Sequence, residues 1–120
     1  MKEEVKRWFE RSKKDWDTAE YLLKGKKYEE CCLFCQQSVE KALKSVLLNQ
    51  SDSIIKVHDL NLLAKKVNLP EGLRELCREL TIIYITARYP DTPELNNKSE
   101  KAKRYLSFAR EILKWTEKNI

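Results

Sequence analysis

The sequence predicts an all-α fold, an antiparallel up-and-down bundle of four long helices plus one short helix. Three observations carry that prediction. Apolar residues recur at three- and four-residue intervals along most of the chain, a rhythm that only a helix turns into one stripe. Glycine and proline number only two and three in 120 residues, too few for the tight hairpins of an all-β fold. The connections between periodic stretches are short, which makes successive helices antiparallel neighbours. A chain of this length is expected to form one domain, residues 1–120, burying roughly two-thirds of its unfolded surface.

The first stripe runs through Val5, Trp8, Phe9, Ser12, Trp16, Ala19, Leu22 and Leu23, and Gly25 is expected to stop it. In the second helix Tyr28, Cys32, Cys35, Val39, Ala42 and Val46 are spaced by fours and threes. Leu33, Phe34, Leu43 and Leu47 widen its apolar arc, so this helix should be the central one. Residues 49–53 read as a polar linker, after which Asp59 caps a short helix through Leu60, Leu63, Ala64 and Val67. Pro70 opens the next helix, with Leu73, Leu76, Cys77, Leu80, Ile83, Tyr84 and Ala87 on its inner face. Residues 89–98 lack periodicity and form a loop. Ser99 then looks like the cap of a last helix built on Ala102, Leu106, Ala109, Leu113 and Thr116.

The net charge of +5 leans mildly toward anionic partners such as nucleotides or RNA. Lysines and glutamates interleave along the helices, as a solvated face does. No run of about eighteen apolar residues is present to cross a membrane, and the N-terminus carries acids where an export signal needs an apolar segment. With four cysteines in addition, the expected location is the reducing cytoplasm.

Cys32 and Cys35 stand in a C-x-x-C, with Cys31 and Cys77 nearby in pattern. All four lie within amphipathic helices, so they read as small buried hydrophobes, and no metal or other cofactor is predicted. His58, the only histidine, precedes the Asp59 cap; it serves either the helix start or proton transfer and phosphate contact. The three tryptophans lie on or beside helix stripes and read as core or interface.

Two features point to a ligand. Gln36, Gln37, Glu40, Lys41 and Lys44 interrupt the most apolar helix, forming i,i+4 pairs of Gln36 with Glu40, Gln37 with Lys41 and Glu40 with Lys44. At the margin of a core such charges need partners. Arg88 lies one turn past Tyr84, just before Pro90 forces the chain out of helix. It either satisfies a helix C-terminus or presents a planar fork to a phosphate, and it is the candidate partner of Glu40.

The segments YEECCLFCQQSVEKALKSVLLNQ (28–50), HDLNLLAKKV (58–67), ITARYPD (85–91) and KAKRYLSFAREILKWTEK (101–118) resemble the HEPN domain in kind and order. The resemblance covers the chain from about residue 4 to its end. It implies a small helical bundle, commonly homodimeric, that binds nucleotides or acts on RNA and often partners a minimal nucleotidyltransferase. It nominates Arg88, Gln37, Glu40, Lys41, His58, Tyr89 and Asp91 as nucleotide or phosphate contacts.

Ribonuclease and toxin members of that family carry an arginine followed, four to six residues later, by a histidine. Arg88 matches the arginine, whereas Pro93, Glu94 and Leu95 occupy the histidine's window and no histidine follows position 58. In metal-independent RNA cleavage histidine moves the proton and arginine stabilises the phosphorane charge. The favoured reading is therefore a nucleotide- or RNA-binding module, partner to a nucleotidyltransferase. The alternatives are a toxin-type ribonuclease with a divergent proton-transfer residue, and a ligand-free interaction scaffold.

Overall fold

Five helices, and no strand, form among residues 2–51, 56–86, 89–91 and 93–120, which a computed structural model of the protein describes. They are α1 (Glu3–Lys24), α2 (Tyr28–Ser51), α3 (Leu60–Lys66), α4 (Glu71–Thr86) and α5 (Lys98–Lys118). The predicted four long helices and one short helix are all present.

The apolar pattern of α2 is too wide for one stripe, and the helix is accordingly enclosed: it packs against each of the other four. Val39, Leu43 and Val46 of α2 meet Leu60 and Leu63 of α3, Leu76 and Leu80 of α4, and Ala109 and Ile112 of α5 in a continuous core. Each fully buried leucine there contributes about 1.5–3 kcal/mol of burial free energy. The sequence-predicted stripes of α4 and α5 face this core through Leu76, Leu80 and Ile83 and through Ala102, Leu106 and Ala109; that of α1 buries Val5 and Ala19, and its Phe9 packs in a smaller cluster with Ala42 and Leu113.

The helix ends show two departures from expectation. α2 runs on to Ser51, so residues 49–51, expected in a linker, are helical. α1 stops at Gly25 as expected, its φ being −84°, and the next residue, Lys26, is left-handed at φ 60°. The Lys27 N–H donates to the Leu22 carbonyl at 2.8 Å and the Lys26 N–H to that of Leu23 at 3.0 Å, the paired bonds of a Schellman motif. α3 ends the same way, with Asn68 left-handed at φ 58° and Leu69 and Asn68 donating to Ala64 and Lys65. Ser99 is not the cap of α5. The left-handed Asn97 precedes Lys98, and the Asn97 carbonyl accepts the first helical bond, from Lys101 at 3.0 Å. A short amide side chain tolerates that backbone region, so the turn falls on Asn97 and Ser99 is drawn into the first turn.

Asp59 caps α3 as expected, its carboxylate accepting from the Asn61 N–H at 2.9 Å. Trp16 ties α1 to α5 by donating its indole N–H to the Leu106 carbonyl at 2.9 Å. Ser38 ties α2 to α1 by donating to the Ser12 carbonyl at 2.7 Å. Among the described residues, no helix is long and apolar enough to cross a membrane.

Candidate functional site

The polar residues of α2 that break its apolar run form a connected group on one side of the helix. Glu40 is buried and accepts three sets of hydrogen bonds. Gln36 donates its amide N–H to Oε1 at 2.9 Å, and Lys44 donates from Nζ to Oε2 at 3.0 Å. His58 Nδ1 lies 3.1 and 3.0 Å from Oε1 and Oε2. The i,i+4 pairs Gln36–Glu40 and Glu40–Lys44 read from the sequence are thus real contacts. Lys44, with 6% of its side chain exposed, is a buried cation that Glu40 neutralises.

His58 reaches this group because the Asp59 cap fixes the residues entering α3. Its ring also stacks on Tyr84 of α4, with centroids 4.8 Å apart and planes 19° from parallel. Three elements therefore hold one imidazole. A carboxylate can only accept, so Nδ1 carries the proton that faces Glu40, and in the neutral ring Nε2 keeps the lone pair. The His58 side chain remains 53% exposed.

Gln36, Gln37, Glu40, Lys41, His58 and Tyr84 line a hollow of about 250 Å³. Lys41, predicted to pair with Gln37 along the helix, instead binds the Asp15 carboxylate of α1. A charged acceptor reaching from the neighbouring helix outcompetes a neutral amide one turn away.

Of the nominated residues, the structure gathers Gln37, Glu40, Lys41 and His58. Tyr89 stands apart, lining a second hollow of about 260 Å³ with Cys32, Glu29 and Glu94 among others. Asp91 is exposed on the loop. Arg88, and with it the proposed Glu40–Arg88 pair, lies outside the described residues. Asp15 and Tyr84 were not nominated. Each sits on a helix other than α2, and only the tertiary fold brings them to Lys41 and His58.

The cysteines are buried and unpaired. Burial pushes the Cys32 and Cys77 thiols up to about 12. Cys35 is also held well above the ordinary thiol value, first by its hydrogen bond with Cys31 and then by burial. Among the described residues no cluster of three or more His, Cys, Asp or Glu side chains is arranged to hold a metal ion.

Comparison with known proteins bears on the fold and the family. No curated protein matches the chain. A solved structure of TT1696 from Thermus thermophilus is similar at 26% identity and a TM-score of 0.85, over 99% of this chain and 100% of that one. The solved structure of ST0689, described as an archaeal HEPN homologue, is similar at 28% identity and a TM-score of 0.79, over 98% of this chain and 97% of that one. The model of the HEPN domain matches residues 5–120, and the chain belongs to that family.

Proposed function

We propose that the chain is a HEPN-type module that binds a nucleotide or RNA, acts as a homodimer and partners a minimal nucleotidyltransferase. The observation that carries this reading is the hollow between α2, α3 and α4, where the Gln37 amide, the Lys41 ammonium and the His58 imidazole converge beside Tyr84. The Gln37 amide and the Lys41 ammonium are donors of the kind that recognise phosphate and base edges, and Nε2 of the neutral His58 ring accepts from a donor beside them. The Glu40 charge beneath them is matched by Lys44, which lessens its repulsion of an anion. Arg88, four residues after Tyr84 in sequence, is assigned the phosphate, for which a planar guanidinium fork is suited. On α4, Ile82 and Ile85 are 63% and 54% exposed, an apolar face suited to a second copy.

Binding of labelled nucleotides to wild type, Arg88→Ala and Lys2→Ala tests this. Arg88→Ala weakens binding about tenfold, Lys2→Ala leaves it unchanged, and both remain folded. Loss of fold in Arg88→Ala with affinity intact overturns the assignment.

The contact between His58 and Glu40 favours a second reading, metal-independent RNA cleavage. Nε2 of His58 would take the proton of a ribose 2'-hydroxyl, whose oxygen forms a bond to phosphorus as the bond to the 5'-oxygen breaks. The leaving 5'-oxygen takes a proton from water. Glu40 holds the ring's tautomer. RNA cleavage by the purified protein in chelator, abolished in His58→Ala, supports this reading; RNA bound and left intact removes it.

A further inference from the structure

The cleft is small for its assigned ligand. About 250 Å³ falls below the range of roughly 300–1,000 Å³ usual for pockets that enclose a drug-sized molecule. It does not stand alone, however. A second, shallower hollow of about 450 Å³ lies on the α1 side, lined by Glu4, Arg7, Trp8, Arg11 and Lys41. Lys41 lines both. Lys44 joins them from beneath, with its ammonium bound to Glu40 in the cleft and placed 5.7 Å from the centre of the Trp8 ring.

Of the cations around this hollow, Lys41 and Lys44 are held by Asp15 and Glu40. Arg7 and Arg11 are exposed and, among the described residues, neither forms an ion pair. They lie one turn apart on α1, about 6 Å along its axis, and flank Trp8. Trp8 is partly exposed, with the Lys44 ammonium beside its ring. The one carboxylate lining the hollow is Glu4, against three cations.

Two arginines without ion-pair partners, an accessible indole between them and a basic bridge into the nucleotide cleft are the parts of a single-strand nucleic-acid path. We infer that the ligand is a single-stranded polynucleotide: one nucleotide occupies the cleft, and the chain continues over Lys41 onto α1, where a base stacks on Trp8 and Arg7 and Arg11 hold the adjoining phosphates. This rests on the nucleotide-or-RNA reading of the cleft and deepens it by naming a strand of several residues and the path it takes over α1. Stacking and phosphate contacts carry little sequence information, so the path takes strands of varied sequence.

The test is fluorescence anisotropy with labelled oligoribonucleotides and oligodeoxyribonucleotides of one, two, four and eight residues, at several salt concentrations. Affinity rises with length. Arg7→Glu/Arg11→Glu weakens octamer binding at least tenfold and lowers the log–log salt slope by about 1.4, the value for two phosphate contacts on a single strand. The same variant keeps wild-type affinity for the mononucleotide. Trp8→Ala weakens the octamer at least fivefold, and Trp8→Phe, which keeps a stacking face, restores most of that loss. Lys103→Glu/Lys114→Glu on α5 controls for net charge and leaves octamer affinity within twofold of wild type. The ribose and deoxyribose arms identify which strand is preferred.

An octamer bound no tighter than a mononucleotide overturns the path and leaves the cleft reading standing. So does an Arg7→Glu/Arg11→Glu effect no larger than that of the α5 control. Failure of wild type to bind either length removes both.

Discussion

His58 Nδ1 lies 3.0 Å from Oε2 of Glu40, joining the residue that precedes the α3 cap to the middle of α2 across 18 positions of sequence. The same carboxylate neutralises Lys44, so one acid both orients the imidazole and keeps a buried cation satisfied. Loss of Glu40 therefore has two separable effects, one on stability and one on the cleft.

Glu40→Ala leaves the Lys44 ammonium buried without its partner and lowers the unfolding free energy by about 3 kcal/mol. The double variant Glu40→Leu/Lys44→Met, which removes both charges and keeps the volume, loses less than Glu40→Ala alone. Urea unfolding of the three proteins checks the order. A double variant less stable than the single one contradicts the pairing.

The turn between α1 and α2 predicts a pair of substitutions that run against intuition. Lys26, left-handed at φ 60°, gains about 1 kcal/mol on replacement by glycine, which carries no Cβ penalty there. Gly25 is not left-handed, and a Cβ added to it meets only the Leu22 and Tyr21 carbonyl oxygens, at ordinary contact distances of 3.7 and 3.8 Å. Gly25→Ala is accordingly neutral or stabilising by about 0.5 kcal/mol. Thermal unfolding of both variants decides the matter.

Arg104 donates to Glu79 across the α4–α5 interface at 2.7 Å, and this hydrogen bond holds the Glu79 carboxyl below its ordinary value of 4.5. A folded-state value lower than the unfolded one contributes stability that is fully present above the unfolded value and fades as pH falls through the folded one. Glu79→Gln is thus less stable than wild type by about 1 kcal/mol at pH 7. The gap narrows as pH falls below the ordinary carboxylate value and closes once wild-type Glu79 takes up its proton. Denaturant titrations from pH 7 to pH 3 measure it.

Burial makes the cysteines unreactive. With Cys32 and Cys77 pushed up to about 12 and all four thiols enclosed, the native protein resists iodoacetamide at pH 8. In urea all four alkylate, as mass spectrometry will show. Fast labelling of Cys32 in the native state would mean that its end of α2 opens.

Most of the fold was legible because it rests on short-range physics. The three-and-four spacing placed every long helix, and Asp59 was recognisable as a cap from its position before Leu60 and Leu63. The misplaced helix ends were that of α2, which continues through residues 49–51, and the start of α5, where the non-glycine Asn97 takes the left-handed conformation. Local composition favoured a polar linker after Leu48 and a cap at Ser99, but the opening bond from Lys101 to Asn97 set the start of α5.

The site was legible only within α2. Gln36, Glu40 and Lys44 share one helix, so spacing alone brings them together. Nothing in the spacing says that α3 delivers His58 to Glu40, that Tyr84 lies against the imidazole, or that Asp15 takes Lys41 from Gln37. Those contacts depend on how helices cross, which no single element encodes.

The Schellman turn at Lys26 closes α1 onto α2 with only three residues between the helices, and this hairpin is the most extensive interface in the bundle. Contacts so near in sequence form with little loop-closure entropy, so the hairpin is the natural nucleus of folding, and α4 and α5 join a scaffold already in place. Mutations inside the hairpin should slow refolding, whereas those at the α4–α5 contact should chiefly hasten unfolding.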